Sequence, residues 1–514
     1  MAQAIQAFSI SAPGFYGLNT QDSSLDLASG FALSANNCVI DKFGRIGARK
    51  GWSSLNTAIN AALGTADIKS IGELVTSGGV SYTVCAGNNK LFSYASSALT
   101  ELTYGGGGVA PTITNSNWQI ASLNSCLYFF QSGHTPLVFE PAVSTTTYRR
   151  ISEKTGYTGT VQDGNVVLSA YGRLWVADTA TNKNTIYFSD SIAGHLWTAG
   201  TSGSLNVNTV WPNGGDNIVG LGAHNGFLFI FGRNNILVYS GATVPSTITL
   251  SDTTTGIGCI ARDSIQNTGS DIIFLSDTGV RSVMRTVQEK SAPYRDLSKN
   301  VRDDLMSGVI GELSEPIKAI YSPFESFYLL TLPLSKIVYC FDLKTQLEDG
   351  SSRVTTWDNI QPKSLFYRSD KTLLIGKEGY LGSYTGYSDN GVSYRMTYYT
   401  NHTDFGQPSV TSILKKIKVV VVGGTAQDLI VKWDYDFKEN YYSQAVEIPL
   451  QGVYEYNIAE YGIAEYSDGV ALNTLTVYPT GTGKVVQTGY EADINGSSLS
   501  IQKLEIHAKN GKTV

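Results

Sequence analysis

Charge is scarce in this chain: Asp, Glu, Lys and Arg together supply 16% of its 514 residues and leave a net charge of −6. A protein that holds nucleic acid by neutralising phosphates needs a basic face. The densest group of cations, Leu414-Lys415-Lys416-Ile417-Lys418, reads instead as a solvated strand face. Cysteine is also sparse. Cys38, Cys85, Cys126, Cys259 and Cys340 stand singly and are odd in number, which excludes a disulfide framework and fits reduced, buried thiols. The expected place of folding is therefore a cytoplasm. Five histidines, His134, His195, His224, His402 and His507, lack any partner at zinc-ligand spacing, so no metal site is predicted. No apolar run approaches the length of a membrane span, and the first residues, Met1 to Gln6, show no basic segment leading into an apolar one. The expectation is a chain with neither signal peptide nor membrane helix.

Helical periodicity is nearly absent, whereas glycine is abundant at 53 residues, which together indicate an all-β, turn-dense protein. What recurs is a short β-rich run, a turn, and a second run that usually carries an aromatic. The first run falls at 80–85, 126–130, 173–177, 227–231, 272–275, 327–330 and 372–375. Successive units start roughly 45 to 55 residues apart, the period of propeller blades. The fourth unit is the plainest: Asn217 to Gly222, the turn Asn225-Gly226, Phe227 to Phe231, the turn Gly232 to Asn235, then Ile236 to Tyr239, with Thr247 to Leu250 as a fourth strand.

The predicted fold is all-β, an irregular β-propeller of about seven blades with an additional C-terminal β-sandwich-like domain. Residues 1–65 form an N-terminal arm with a hairpin around Asp41-Lys42-Phe43-Gly44, residues 66–388 hold the propeller, and residues 389–514 form the C-terminal β-domain. The N-terminal arm is a candidate to complete the first or last blade. One helix is predicted, over 299–306, inside a connection at 290–315 that is too long merely to close a blade.

Residues that carry chemistry are few. Ser189-Asp190-Ser191-Ile192-Ala193-Gly194-His195-Leu196-Trp197 resembles a stretched form of the Asp-box turn of sialidase propellers, and is read as a blade turn whose Trp197 covers the core. Asp434 and Asp436 alternate with Trp433, Tyr435 and Phe437, which in a strand places both acids on one face. Asp252-Thr253-Thr254-Thr255-Gly256 has too few ligands for a calcium loop. There is no nucleophile elbow, phosphate loop or dinucleotide fingerprint. The prediction is no catalytic, cofactor-binding or metal residue, no cofactor, and no enzyme.

Three passages carry a family resemblance. The run from Gly30 to Gly51, with Asn36-Asn37, the strand Cys38-Val39-Ile40, Gly44 and Arg49, resembles the opening of tail hub proteins (nozzle or tail tubular proteins) of short-tailed bacteriophages. The passages 217–239 and 256–283 are similar to their central propeller. Asn401-His402-Thr403-Asp404-Phe405-Gly406-Gln407-Pro408, leading into Val419 to Val422, is similar to the start of their C-terminal domain. The resemblance implies a structural virion protein of the tail, assembled in the host cytoplasm. It implies a homohexameric ring below the portal-adaptor protein, through which DNA is ejected without specific binding, and to which fibre or tip proteins attach.

An acidic balance suits a wall past which DNA slides. The 30 tyrosines and 7 tryptophans supply aromatic anchors for subunit contacts. The elements that break the repeat, namely the N-terminal arm, the 290–315 insertion and the C-terminal domain, are the candidate interfaces. Two other readings compete. A carbohydrate-binding or glycan-cleaving propeller of a tail spike predicts an axial pocket with clustered arginines or paired carboxylates and aromatics. A cytoplasmic scaffold propeller would carry G-H and W-D blade signatures, which are missing.

Overall fold

The computed structural model describes residues 5–284, 296–312, 315–406, 409–424, 427–438, 440–449 and 472–513. Each predicted repeat run becomes the second strand of a meander of antiparallel strands: Ser81–Gly87, Cys126–Phe130, Arg173–Thr179, Phe227–Gly232, Ile272–Ser276, Phe327–Leu332 and Leu373–Gly376. The strands that precede these runs, from Ile68–Val75 round to Ser364–Tyr367, neighbour one another in chain order, and the last meets the first. The result is a closed propeller, as the repeat predicts.

Seven units close the ring, and among the described residues six of them have four strands. Among the described residues the fifth unit has three strands, Gln266–Asn267, Ile272–Ser276 and Gly279–Ser282. Further along, the described residues form a 3-10 turn, Lys299–Val301, and an α-helix, Arg302–Gly311. Of the helix expected over 299–306, the first three residues form the 3-10 turn, and the α-helix runs on to Gly311. Asp303 and Asp304 in its first turn complement the positive end of its dipole, and Leu305 and Val309 are its buried face. The rest of the 290–315 insertion, at 290–295 and 313–314, lies outside the described residues.

Burial explains why the blades stack. Alternate residues of each meander fill the seams between neighbours, so the core divides into clusters, one seam to a cluster. Trp175, Ile186, Ile230 and Leu237 close the seam between the third and fourth units, and Phe231, Ile236, Ile272 and Phe274 that between the fourth and fifth. The largest cluster is different. It runs from Leu275 and Val280 through the helix and the sixth unit into the C-terminal region.

That continuity has a backbone cause. The sixth blade, Lys318–Ser322 to Ser352–Trp357, does not end at its fourth strand but continues through Gly17–Leu18, Phe31–Asn36, Tyr394–Thr400, Val486–Ile494, Asp428–Tyr435 and Tyr442–Glu447 as one ten-stranded sheet. The entry of Gly17 needs a glycine: its φ is +82°, and a Cβ there would lie 2.4 Å from the Val354 carbonyl oxygen. A second sheet, built on Val410–Gly423 and Leu499–Thr513, faces the outer part of the first. Leu414, Ile417, Val419 and Leu504 pack against Tyr398, Val431, Tyr490 and Ala492, which is the expected β-sandwich.

The N-terminal residues are woven into both bodies. Ile5–Ser11 pairs with Leu499–Thr513, the predicted hairpin Cys38–Ile40 and Ile46–Ala48 joins the same sheet, and Trp52–Ser54 supplies the outer strand of the seventh blade. Arg49 locks the crossing point and is wholly buried. Its guanidinium grips both carboxylate oxygens of Asp389 at 2.8 and 2.7 Å, donates to Asn37 Oδ1 at 3.0 Å, and lies 4.0 Å from the Tyr394 ring centre. Asn37 in turn donates to Asp358 and to the Arg395 carbonyl.

Candidate functional site

Because the innermost strands run along the axis, their side chains decide what the centre of the propeller contains. It holds a cavity of about 330 Å³ to which all seven units contribute. Small residues let these strands converge: a Cβ on Gly220 would lie 2.2 Å from Ile265 Cδ1 of the next unit. Polar and apolar groups share the lining equally. Its charged members are Lys69, Arg262, Asp263 and Lys318, three cations against one carboxylate.

The last three form one cluster. Arg262 and Asp263 sit on a 3-10 turn, Arg262–Ser264, before the inner strand of the fifth unit. Ser264 anchors that turn by accepting from the Leu275 N–H at 3.0 Å through its hydroxyl and from the Tyr328 hydroxyl at 2.9 Å through its carbonyl. Lys318 opens the inner strand of the sixth unit. Its ammonium lies 2.5 Å from Asp263 Oδ2 and 2.5 Å from Asn117 Oδ1, and Arg262 Nε lies 2.9 Å from Asp263 Oδ1. Gln119 also donates to Asp263, and Arg262 spends a further nitrogen on Asn165. The three side chains are only 9 to 10% exposed.

Burial raises the Asp263 pKa, but the Arg262 and Lys318 charges outweigh it and hold the carboxyl well below the usual carboxylate range. Burial also pushes Lys318 down from its ordinary value; Asp263 opposes this, while Arg262 and Lys69 add to it by repulsion. Asp263 is thus a fixed anion with its oxygens committed, unsuited to proton transfer near neutrality.

Arg262 and Asp263 also form the wall of a second cavity, of about 490 Å³, under the helix. Met306, Val309 and Ile310 line it together with Asp277, Glu312, Glu315 and the single further cation Arg233. Glu312 is buried and accepts the N–H groups of Leu334 and Ser335 at 2.8 and 2.6 Å, while Glu315 meets Lys69 at 3.3 Å. A charged partition therefore separates a cationic axial cavity from an acidic vestibule.

The residues singled out in the sequence lie elsewhere and do not converge. Asp190 accepts from the N–H and hydroxyl of Thr201 at 2.9 and 2.8 Å, and Trp197 is buried against Phe130, as a blade turn requires. Lys415, Lys416 and Lys418 lie on a partly solvated strand, with Lys418 4.0 Å from Glu505. The shared face of Asp434 and Asp436 is a correction. The strand ends at Tyr435, and Asp436 and Phe437 both have positive φ, so the chain turns and the alternation breaks. Asp434 is 3% exposed, whereas Asp436 caps the N–H groups of Lys484 and Val485. Among the described residues no three His, Cys, Asp or Glu side chains could hold a metal ion, and no helix is long and apolar enough to cross a membrane.

The axial cluster was missed because its members come from distant units. A Lys within the inner run Ile317-Lys318-Ala319-Ile320, and an Arg-Asp pair just before the matching run of the neighbouring unit, were the available signals.

No family model and no curated protein matches the chain. Among solved structures it is similar to the WD40 domain of Neurospora crassa Pan2, at 10% identity and a TM-score of 0.38, covering 65% of this chain and 96% of that one. It is also similar to PorZ, a surface component of the type-IX secretion system of Porphyromonas gingivalis, at 13% identity and a TM-score of 0.36, covering 64% of this chain. The chain spans 37% of the length of PorZ. Likenesses this loose bear on no function.

Proposed function

We propose that this chain is a non-enzymatic structural protein of a short phage tail. In this reading it forms a homohexameric ring, a nozzle or hub, beneath the portal-adaptor, made in the host cytoplasm and carried in the virion. The observation that supports it best is the ten-stranded sheet that continues from the sixth blade into the sandwich, because hydrogen-bonded strands leave the two bodies no soft linker to bend at. A tube wall under load needs that stiffness.

DNA would pass between subunits and not through the blades. An axial cavity of about 330 Å³ crossed by Lys318, Asp263 and Arg262 has room for a small molecule only. The net charge of −6 disfavours adhesion of the phosphate backbone to the wall. Fibre or tip proteins would attach outside. The carbohydrate-directed alternative has less support: the axis offers one arginine and one carboxylate, bound to each other, where a glycan-cleaving site needs two separate carboxyl groups or converging arginines.

Mass photometry and negative-stain imaging test the reading, with the protein alone and mixed with adaptor protein or tail-less capsids. Rings of six, free or on the adaptor, are expected. A monomer that ignores every virion component would overturn it.

A further inference from the structure

We infer that the axial cavity is a binding site for a small oxyanion, a carboxylate or phosphate, seated between Lys318 and Lys69. Charge arithmetic comes first. Lys69 is balanced by Glu315 across the partition, but Arg262 and Lys318 share a single carboxylate, Asp263. One positive charge is therefore left over in a cluster whose side chains are about nine-tenths buried. An uncompensated buried charge is costly, and an anion at hydrogen-bond distance is the usual remedy.

Donor capacity points the same way. An ammonium group carries three N–H donors. Those of Lys318 reach Asp263 and Asn117, and among the described residues the third has no partner. Arg262 is turned outward to Asn165 and Asp263, so it contributes field more than contact. Lys69, Ser70, Gln119, Gln266 and Ser364 are the other polar side chains of the lining. Lys69 is 31% exposed, which puts it toward the open side of the cavity.

Shape agrees, since about 330 Å³ is at the small end of ligand sites, which span roughly 300 to 1,000 Å³. None of this depends on the tail reading, and ring formation neither supports nor weakens it.

The test is isothermal titration of the full chain, with thermal unfolding alongside, using inorganic phosphate and malonate in turn. Ionic strength is held constant with sodium chloride. Saturable binding and a raised unfolding temperature are expected with at least one of them. A response to phosphate alone assigns a tetrahedral oxyanion, and a response to malonate alone assigns a carboxylate. Lys69→Gln, at a partly exposed position that leaves the cluster intact, should weaken binding about tenfold. Lys318→Met should abolish it. Should Lys318→Met fail to fold, Lys69→Gln still decides. No binding of either anion at millimolar concentration, or an affinity unchanged in Lys69→Gln, overturns the site.

Discussion

Two of the buried charge clusters of this molecule differ in balance. At the crossing of propeller and sandwich, Arg49 meets Asp389 in a two-pronged pair, stacks on Tyr394, and leaves no charge over. On the axis, Arg262 and Lys318 divide one Asp263 and face a cavity. A cluster that cancels and is packed on all sides is a fastening. One that keeps a surplus beside open space is suited to receive a ligand. Both are buried, so burial alone does not separate structure from function.

The largest expected effect is at the fastening. Arg49→Met leaves Asp389 without its partner and strips a hydrogen bond from Asn37, and should cost about 3 to 5 kcal/mol, as breaking one side of a buried pair does. Urea unfolding followed by tryptophan fluorescence reads it, and added phosphate should not restore the loss. A cost below about 1 kcal/mol would place Arg49 with ordinary surface pairs.

At the axis, Asp263→Asn keeps the shape and removes the only anion. Arg262 and Lys318 then face each other without compensation, at a cost of about 1 to 3 kcal/mol in the absence of ligand. Here phosphate or malonate should stabilise the variant more than the parent, because two surplus charges await the anion in place of one. Equal stabilisation of both would erase the contrast with Arg49.

The two regions were also unequally legible. The repeat showed itself because each blade is local: runs such as Phe227 to Phe231 alternate apolar faces between turns, and period alone places them. The sandwich showed itself through long alternating strands. The axial cluster and the Arg49 clasp did not, because Lys318 meets Asp263 and Arg49 meets Asp389 only after the ring and the ten-stranded sheet have formed. The shortness of the fifth blade was hidden for a related reason. The fifth unit has the same strand signal as the others, and nothing in it announces that only three of its strands pair among the described residues. Asp436 failed locally, since two successive residues with positive φ carry no glycine to mark the turn.

A third cluster, on the open face of the sandwich, calibrates the other two. Glu491 accepts from Lys432 and Arg395, each at 2.6 Å, and from the Tyr399 hydroxyl, with Asp493 balancing the second cation. Burial raises its pKa, yet the hydrogen bonds from Lys432, Tyr399 and Arg395 bring it down to about 2 from 4.5. Because the folded value is the lower one, this network stabilises fully above the ordinary carboxylate range, and the contribution fades as pH falls from about 4.5 toward about 2. Arg395 and Lys432 are 39% and 26% exposed, so water and salt screen the pairs and Glu491→Gln should cost only about 1 kcal/mol at neutral pH. The difference between parent and variant, measured by urea unfolding at a series of pH values, should shrink across that window and shrink again in high salt. A difference that instead persists unchanged below the window would mean that Glu491 acts through packing, and that charge balance is the wrong axis on which to rank the three clusters.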